Sequence, residues 1–144
     1  MLFPDLDEDA IFLSRSDDSE ILGTHMNQPF ALDGKEWLSV EHYFQAMKFH
    51  DADYREKIRR SNKPKDAKAL GMTRKIKLRA DWEDVKDQIM LDAVRQKFAT
   101  HDLPRQLLLQ TGTTEIVENA PMDAYWGCGP DGQGLNKLGR ILMD

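Results

Sequence analysis

The segment Glu41-His42-Tyr43-Phe44-Gln45-Ala46-Met47-Lys48-Phe49 holds the side chains best placed to do chemistry. Glu41, Gln45 and Lys48 recur at i, i+4 and i+7, which on a helix puts three polar groups along one stripe. A carboxylate in a first helical turn, flanked by large apolar groups, can act as a general acid or base if burial raises its pKa. Lys48 would stand roughly 10 Å further along the axis, so the two could bracket a small ligand. Once neutral, Lys48 could instead attack an opened sugar aldehyde as an amine nucleophile. The same spacing also describes a plain solvent-facing stripe, and spacing alone favours that reading.

A second group of candidates lies near the end of the chain. Asp123 to Gly134 contains four glycines, too many for a core strand, and reads as a shaped loop. Its glycines would let a ligand approach the backbone closely. Tyr125 and Trp126 could stack on a flat ring, or Trp126 could anchor the core. Asp123 could orient a water or hold a ribose hydroxyl, or be a turn residue. Asn136 could contact a ligand or cap the last helix, and Glu118 and Asn119 are equally open. Neither GxxxxGK[ST] nor GxGxxG occurs here. His25, His42, His50 and His101 are scattered, there is one cysteine, and Asp131-Gly132-Gln133-Gly134 lacks calcium ligands. No metal is expected.

These candidates need a frame. The 144 residues suit one domain over 10–144, preceded by a short acidic arm at 1–9. Net charge is -5, from 25 acidic and 20 basic residues, which argues against general duplex binding. Two local basic runs stand out: Lys57, Arg59, Arg60, Lys63, Lys65, Lys68, and then Arg74, Lys75, Lys77, Arg79. They read as solvated faces or as patches that attract phosphorylated ligands. Cys128 has no partner for a disulfide, which fits a cytoplasmic protein. No apolar run is long enough for a membrane span, and the start does not read as a secretory signal.

The elements that must position the candidates are mostly helical. Ala10 to Leu13 is a short edge strand. Phe30 to Leu32, Asp33-Gly34 and Lys35 to Leu38 form a β-hairpin. Ser39 caps a helix whose core face is Val40, Tyr43, Phe44 and Met47. A second helix covers Tyr54 to Arg60, and a third runs from an Asn62 cap to Gly71. Asp81 caps a long helix to Phe98, burying Trp82, Val85, Ile89, Ala93 and Val94. Asp102 caps another, with Pro104 in its first turn and Gly112 closing it. Thr114 to Val117 is extended. Asn136 caps a last helix over Leu138, Ile141, Leu142 and Met143.

Four ordered blocks between residues 30 and 143 resemble the YbiA/NADAR family of N-glycosidases. They are Asp33 to Phe49; Tyr54-Arg55-Glu56-Lys57-Ile58 with Ala67 and Gly71; Leu78-Arg79 and Asp81-Trp82 with Val85-Lys86 and Met90; and Glu118 to Gly127 with Gly132, Gly134, Asn136, Leu138 and Gly139. The resemblance implies a mainly α, YbiA-like single helical domain with a short β-hairpin and a glycine-rich active-site loop. It implies a hydrolase that needs no cofactor. One family activity releases ribose 5-phosphate from phosphorylated ribosylaminopyrimidine intermediates of riboflavin biosynthesis. Another removes ADP-ribose from guanine, so nucleic acid would enter only as a modified substrate.

By the same resemblance the catalytic residues are Glu41, Lys48 and Asp123. Trp82 and Asn136 would bind substrate by that resemblance, and Tyr125 and Trp126 by their place in the glycine-rich loop. Lys48 matches the lysine linked to a Schiff-base route. The chain departs from the family at Ile21 to Phe30, where a Phe-Ser-Asn-Phe-like stretch is usual, and at Cys128, where aspartate often follows Trp-Gly. A binding module for nucleotide or ADP-ribose is the non-enzymatic alternative.

Overall fold

The computed structural model describes residues 11–15, 17, 19–112, 116–118, 125–127 and 135–143. The acidic arm, Asn119, Asp123, Cys128 and most of the glycine-rich loop lie outside the described residues, as does the Glu118 side chain. Among the described residues six helices dominate: α1 (Val40–Ala46), α2 (Ala52–Arg59), α3 (Pro64–Gly71), α4 (Trp82–Thr100), α5 (Asp102–Gln110) and α6 (Lys137–Met143). Four three-residue strands accompany them: β1 (Ile11–Leu13), β2 (Phe30–Leu32), β3 (Lys35–Trp37) and β4 (Ile116–Glu118). This is the expected mainly helical architecture with a short hairpin.

The hairpin forms where Asp-Gly allows it. Asp33 and Gly34 both take positive φ, 55° and 77°, as a two-residue turn between antiparallel strands requires. The Asp33 carboxylate then accepts from the Tyr43 hydroxyl at 2.7 Å, fixing the hairpin to α1. The strand at 11–13 pairs parallel with β4, more than 100 residues away, which no local pattern indicated.

Helix α1 lies at the centre. Every one of its residues is buried. It packs on α2, α3 and α4, and its Val40, Tyr43 and Phe44 join Trp37, Trp82, Met90 and Trp126 in one apolar core. Ser39 caps it as expected: its hydroxyl accepts from the His42 N–H at 3.2 Å. The same hydroxyl meets His42 Nδ1 at 2.7 Å, and Nε2 faces the Ser61 carbonyl at 3.0 Å. Nε2 must donate to that carbonyl, so Nδ1 accepts from Ser39. His42 thereby ties α1 to the turn between α2 and α3.

Several caps fall elsewhere than the sequence suggested. Helix α2 begins at Ala52, capped by Asp51. Lys63 rather than Asn62 precedes α3, with no side-chain cap. The Asp81 carboxylate leaves the end of α4 uncapped and pairs with Arg79 at 2.7 Å, because a guanidinium offers two charged donors where the helix offers a partial charge. His101 occupies the cap of α5 and Asp102 is its first residue. Val85 is half-buried, whereas Trp82, Ile89, Ala93 and Val94 are buried as expected.

Ser39 holds both a helix end and a buried imidazole. Ser39→Ala is therefore expected to cost about 1–2 kcal/mol in urea unfolding, at or above the usual loss of a helix cap. A change under about 0.3 kcal/mol would contradict that dual role.

Candidate active site

Glu41 is completely buried and forms the centre of a polar cluster inside the apolar core. Its Oε2 accepts from the Thr24 hydroxyl at 3.0 Å and from Arg15 Nη1 at 3.4 Å. Its Oε1 accepts from Gln45 Nε2 at 2.6 Å. His25 Nδ1 stands 3.7 Å from Oε2. Burial pushes the carboxyl up, but Arg15, His25, Gln45 and Thr24 together outweigh it and hold its pKa below the ordinary carboxylate value. The expectation of an acid with a raised pKa is thus reversed, because desolvation here comes with a cation and three polar neighbours. The solvent-stripe reading also fails, since Glu41 and Gln45 are both buried.

Gln45 can reach Glu41 because α3 ends on a glycine. A Cβ at Gly71 would stand 1.9 Å from Gln45 Oε1, so only glycine lets the α3 terminus close over that amide. The Gly71 carbonyl meets Lys48 Nζ at 3.5 Å. Helix α1 ends at Ala46, so Lys48 sits in the turn after it and is not a third point on a helical stripe. Its backbone is fixed from outside: the Lys48 carbonyl accepts from the Arg79 N–H at 2.8 Å, and Arg79 Nη1 donates to the Met47 carbonyl at 3.3 Å. Burial lowers the Lys48 ammonium pKa, assisted by Arg15 and Lys68 and opposed by Glu41.

An aromatic wall joins these groups. Phe44 packs edge-on against Trp82 at 5.1 Å and Trp126 at 5.4 Å, and Lys48 Nζ lies 5.8 Å from the Phe44 ring centre. Glu41, Lys48, Trp82 and Trp126 are therefore gathered around one helix. Trp82 and Trp126 are both buried core residues. Tyr125 lies further out. Its hydroxyl donates to Asp87, Lys86 Nζ lies 3.8 Å from its ring centre, and burial followed by Asp87 pushes its pKa up to about 12. Asn136 has φ 49°, and its amide donates to the Ile116 carbonyl at 2.9 Å, joining the start of α6 to β4. Asp123 falls outside the described residues.

Sequence reasoning missed Arg15, Thr24 and His25, all of which are buried. They come from the irregular stretch between β1 and β2, where no periodicity marks a facing side. One signal was present: Arg15 is the only lysine or arginine before Lys35. A further buried cation holds this stretch in place. Lys97 on α4 donates to the carbonyls of Ile21 and Gly23, both at 2.6 Å, immediately before Thr24. Burial brings its pKa down to about 7, against the opposing pull of Glu20.

Two outcomes follow from these charges. Glu41→Gln (E41Q) removes the buried charge that faces Arg15 and is expected to lose about 3 kcal/mol at pH 7. Because the folded pKa lies below the ordinary 4.5, the charge contributes fully above that pH and is lost only as pH falls through the lower folded value. Urea unfolding should show a constant deficit down to pH 4.5 that narrows below it; a deficit gone by pH 6 contradicts this. Lys97 also has a lowered folded pKa, so its slope has the same sign in a higher pH window. Between about 7 and its ordinary 10.5 the unfolded chain holds the proton and the folded chain sheds it, so stability rises with pH. The melting-temperature difference between wild type and Lys97→Met should move in favour of wild type from pH 7 to 10, and a flat difference contradicts it.

The NADAR domain family matches residues 2–144. The chain is 47% identical to the N-glycosidase YbiA of Escherichia coli over 133 residues, covering 92% of this chain and 83% of that protein. It is 48% identical to an N-glycosidase of Nostoc punctiforme over 110 residues, covering 74% of this chain and 70% of that one. A riboflavin biosynthesis protein of Vibrio vulnificus is 43% identical over 107 residues, which are 74% of this chain and 29% of that protein. The NMR structure of Escherichia coli YbiA superposes with a TM-score of 0.82 at 46% identity, covering 96% of this chain and 83% of that chain. The chain belongs to the NADAR family, as an enzyme of its N-glycosidase class.

Proposed function

We propose that this enzyme cleaves the N-glycosidic bond of phosphorylated ribosylaminopyrimidines, the intermediates of riboflavin biosynthesis, and releases ribose 5-phosphate. The observation that carries the reading is the pairing of a buried, ionised Glu41 with a half-buried Lys48 whose amine is shifted towards neutrality. The similarity to riboflavin biosynthesis proteins of Vibrio vulnificus and maize supports the choice of substrate.

The chemistry suits such a pair. A ribosylamine opens to an imine at C1 without any cofactor. Neutral Lys48 Nζ adds to C1, and the carbon–nitrogen bond to the aminopyrimidine breaks as the leaving amine takes up a proton. Water then adds to the Lys48 iminium, and the sugar leaves as an aldehyde with the amine restored. Glu41 is held ionised with both oxygens engaged, so its role is to be the fixed negative charge that favours the cationic iminium. Burial holds Lys48 below its usual pKa, with the Phe44 ring, itself packed on Trp82 and Trp126, 5.8 Å from Nζ. Asp123, Tyr125 and Asn136 remain the proposed contacts to water, ring and sugar.

Borohydride reduction during turnover should link the sugar to Lys48, as read by peptide mass. Lys48→Ala should give no adduct and lose at least about 100-fold in rate. The assay is run beside ADP-ribosyl-guanosine. Turnover of that compound alone would replace the proposed substrate, and full activity of Lys48→Ala would remove the lysine route.

A further inference from the structure

A cavity of about 370 Å³ is lined by His25, Met26, Asn27, Lys63, Pro64 and Lys65. His25 is 99% buried, yet its Nε2 has no hydrogen-bond partner among the described residues. Leaving such an atom unpaired costs free energy that a ligand can recover. The α3 N-terminus has no side-chain cap, and the Asp66 and Ala67 N–H groups both turn to the Lys63 carbonyl. Lys63 and Lys65 are exposed and form no ion pair within 4 Å among the described residues. Asp17 is the carboxylate that Lys65 acts on, and Ser19 already engages it.

The hydrogen-bond chain sets the state of His25. Thr24 has one hydroxyl proton, and the ionised Glu41 Oε2 takes it. The 3.1 Å contact from Thr24 Oγ1 to His25 is therefore filled by Nδ1–H donating. In the neutral ring this leaves Nε2 as a bare acceptor. Burial favours that neutral form, with Arg15 and Lys68 on the same side and Glu41 opposing.

The geometry points to this cavity as the subsite for the substrate's terminal phosphate, with Lys63 and Lys65 each holding one phosphate oxygen and His25 Nε2 sharing a proton with a third. This rests on the reading of the substrate as a phosphorylated riboside. Two cations and an uncapped helix N-terminus favour an oxyanion, and a tetrahedral group presents oxygens to donors from three directions. A phosphate dianion must bring one proton from solvent, because Nε2 has none in the free protein. Occupancy thus places a shared proton on the ring whose Nδ1 lies 3.7 Å from Glu41.

The test uses ribose 5-phosphate against ribose, titrated calorimetrically into wild type and a Lys63→Ala/Lys65→Ala double variant. Wild type should bind only the phosphorylated sugar, and the double variant should bind it at least about tenfold more weakly. Wild-type affinity should fall about tenfold per pH unit above pH 7, where one proton must be taken up per phosphate. The ¹⁵N resonance of His25 Nε2 should shift on saturation. Unchanged affinity in the double variant, or an unmoved Nε2 resonance with a flat pH profile, would overturn the subsite. Binding needs no bond cleavage, so the two proposals fail separately. A chain that binds ribose 5-phosphate in this way but cleaves no riboside overturns only the proposed reaction. A chain that cleaves ribosides while the double variant keeps full affinity overturns only the subsite.

Discussion

The rest of the site depends on keeping one carboxylate ionised where no water reaches it. Moving an ion out of water costs several kcal/mol, and a core built from Phe44, Trp82 and Trp126 offers nothing to offset that. Arg15, Thr24 and Gln45 supply the compensation. Arg15 and Thr24 come from the stretch between β1 and β2 and Gln45 from α1 itself, so the carboxylate ties that stretch to the helix. Its demand explains why an otherwise irregular stretch follows β1, and why α3 closes on a glycine.

This constraint also shapes Lys48. An amine in apolar surroundings loses its proton readily, while a nearby anion retains it. Here burial outweighs Glu41, and Arg15 and Lys68 add to it. The balance leaves an amine nearer to neutrality beside a fixed negative charge. In the proposed reaction that combination would favour attack on a carbonyl-like carbon and then stabilise the cation that results. The backbone around Lys48 is held by Arg79 rather than by helix, which lets the side chain leave the line of Glu41 and Gln45. A second buried cation, Lys97, clamps the carbonyls just before Thr24, so the far wall is positioned from the long helix.

The parts of the fold that were legible in the sequence are those set by neighbours a few residues apart. Asp33-Gly34 dictates its own turn, Ser39 its own cap, and the apolar spacing from Val40 to Phe44 its own core face. Asp81 misled because its best donor, Arg79, lies outside the helix it precedes. Glu41 was legible as a candidate but not in its charge state. That state depends on Arg15 and Thr24, 26 and 17 positions away, in a stretch with no periodicity. Gly71 and Gln45 were both visible, yet their close approach is a property of two packed helices and not of either segment. The family resemblance marked the lysine and tryptophans that gather around α1, while the buried cations behind them left only the faint trace of a lone arginine.

The central claim is that Glu41 carries its charge while fully buried. A ¹³C titration of its side-chain carboxyl measures this directly, with resonance assignment by the Glu41→Gln variant. The carboxyl shift should stay at its ionised value throughout the neutral range and move only with a midpoint below 4.5. A midpoint above 4.5 would mean that burial prevails over Arg15, Thr24 and Gln45, and would contradict the account.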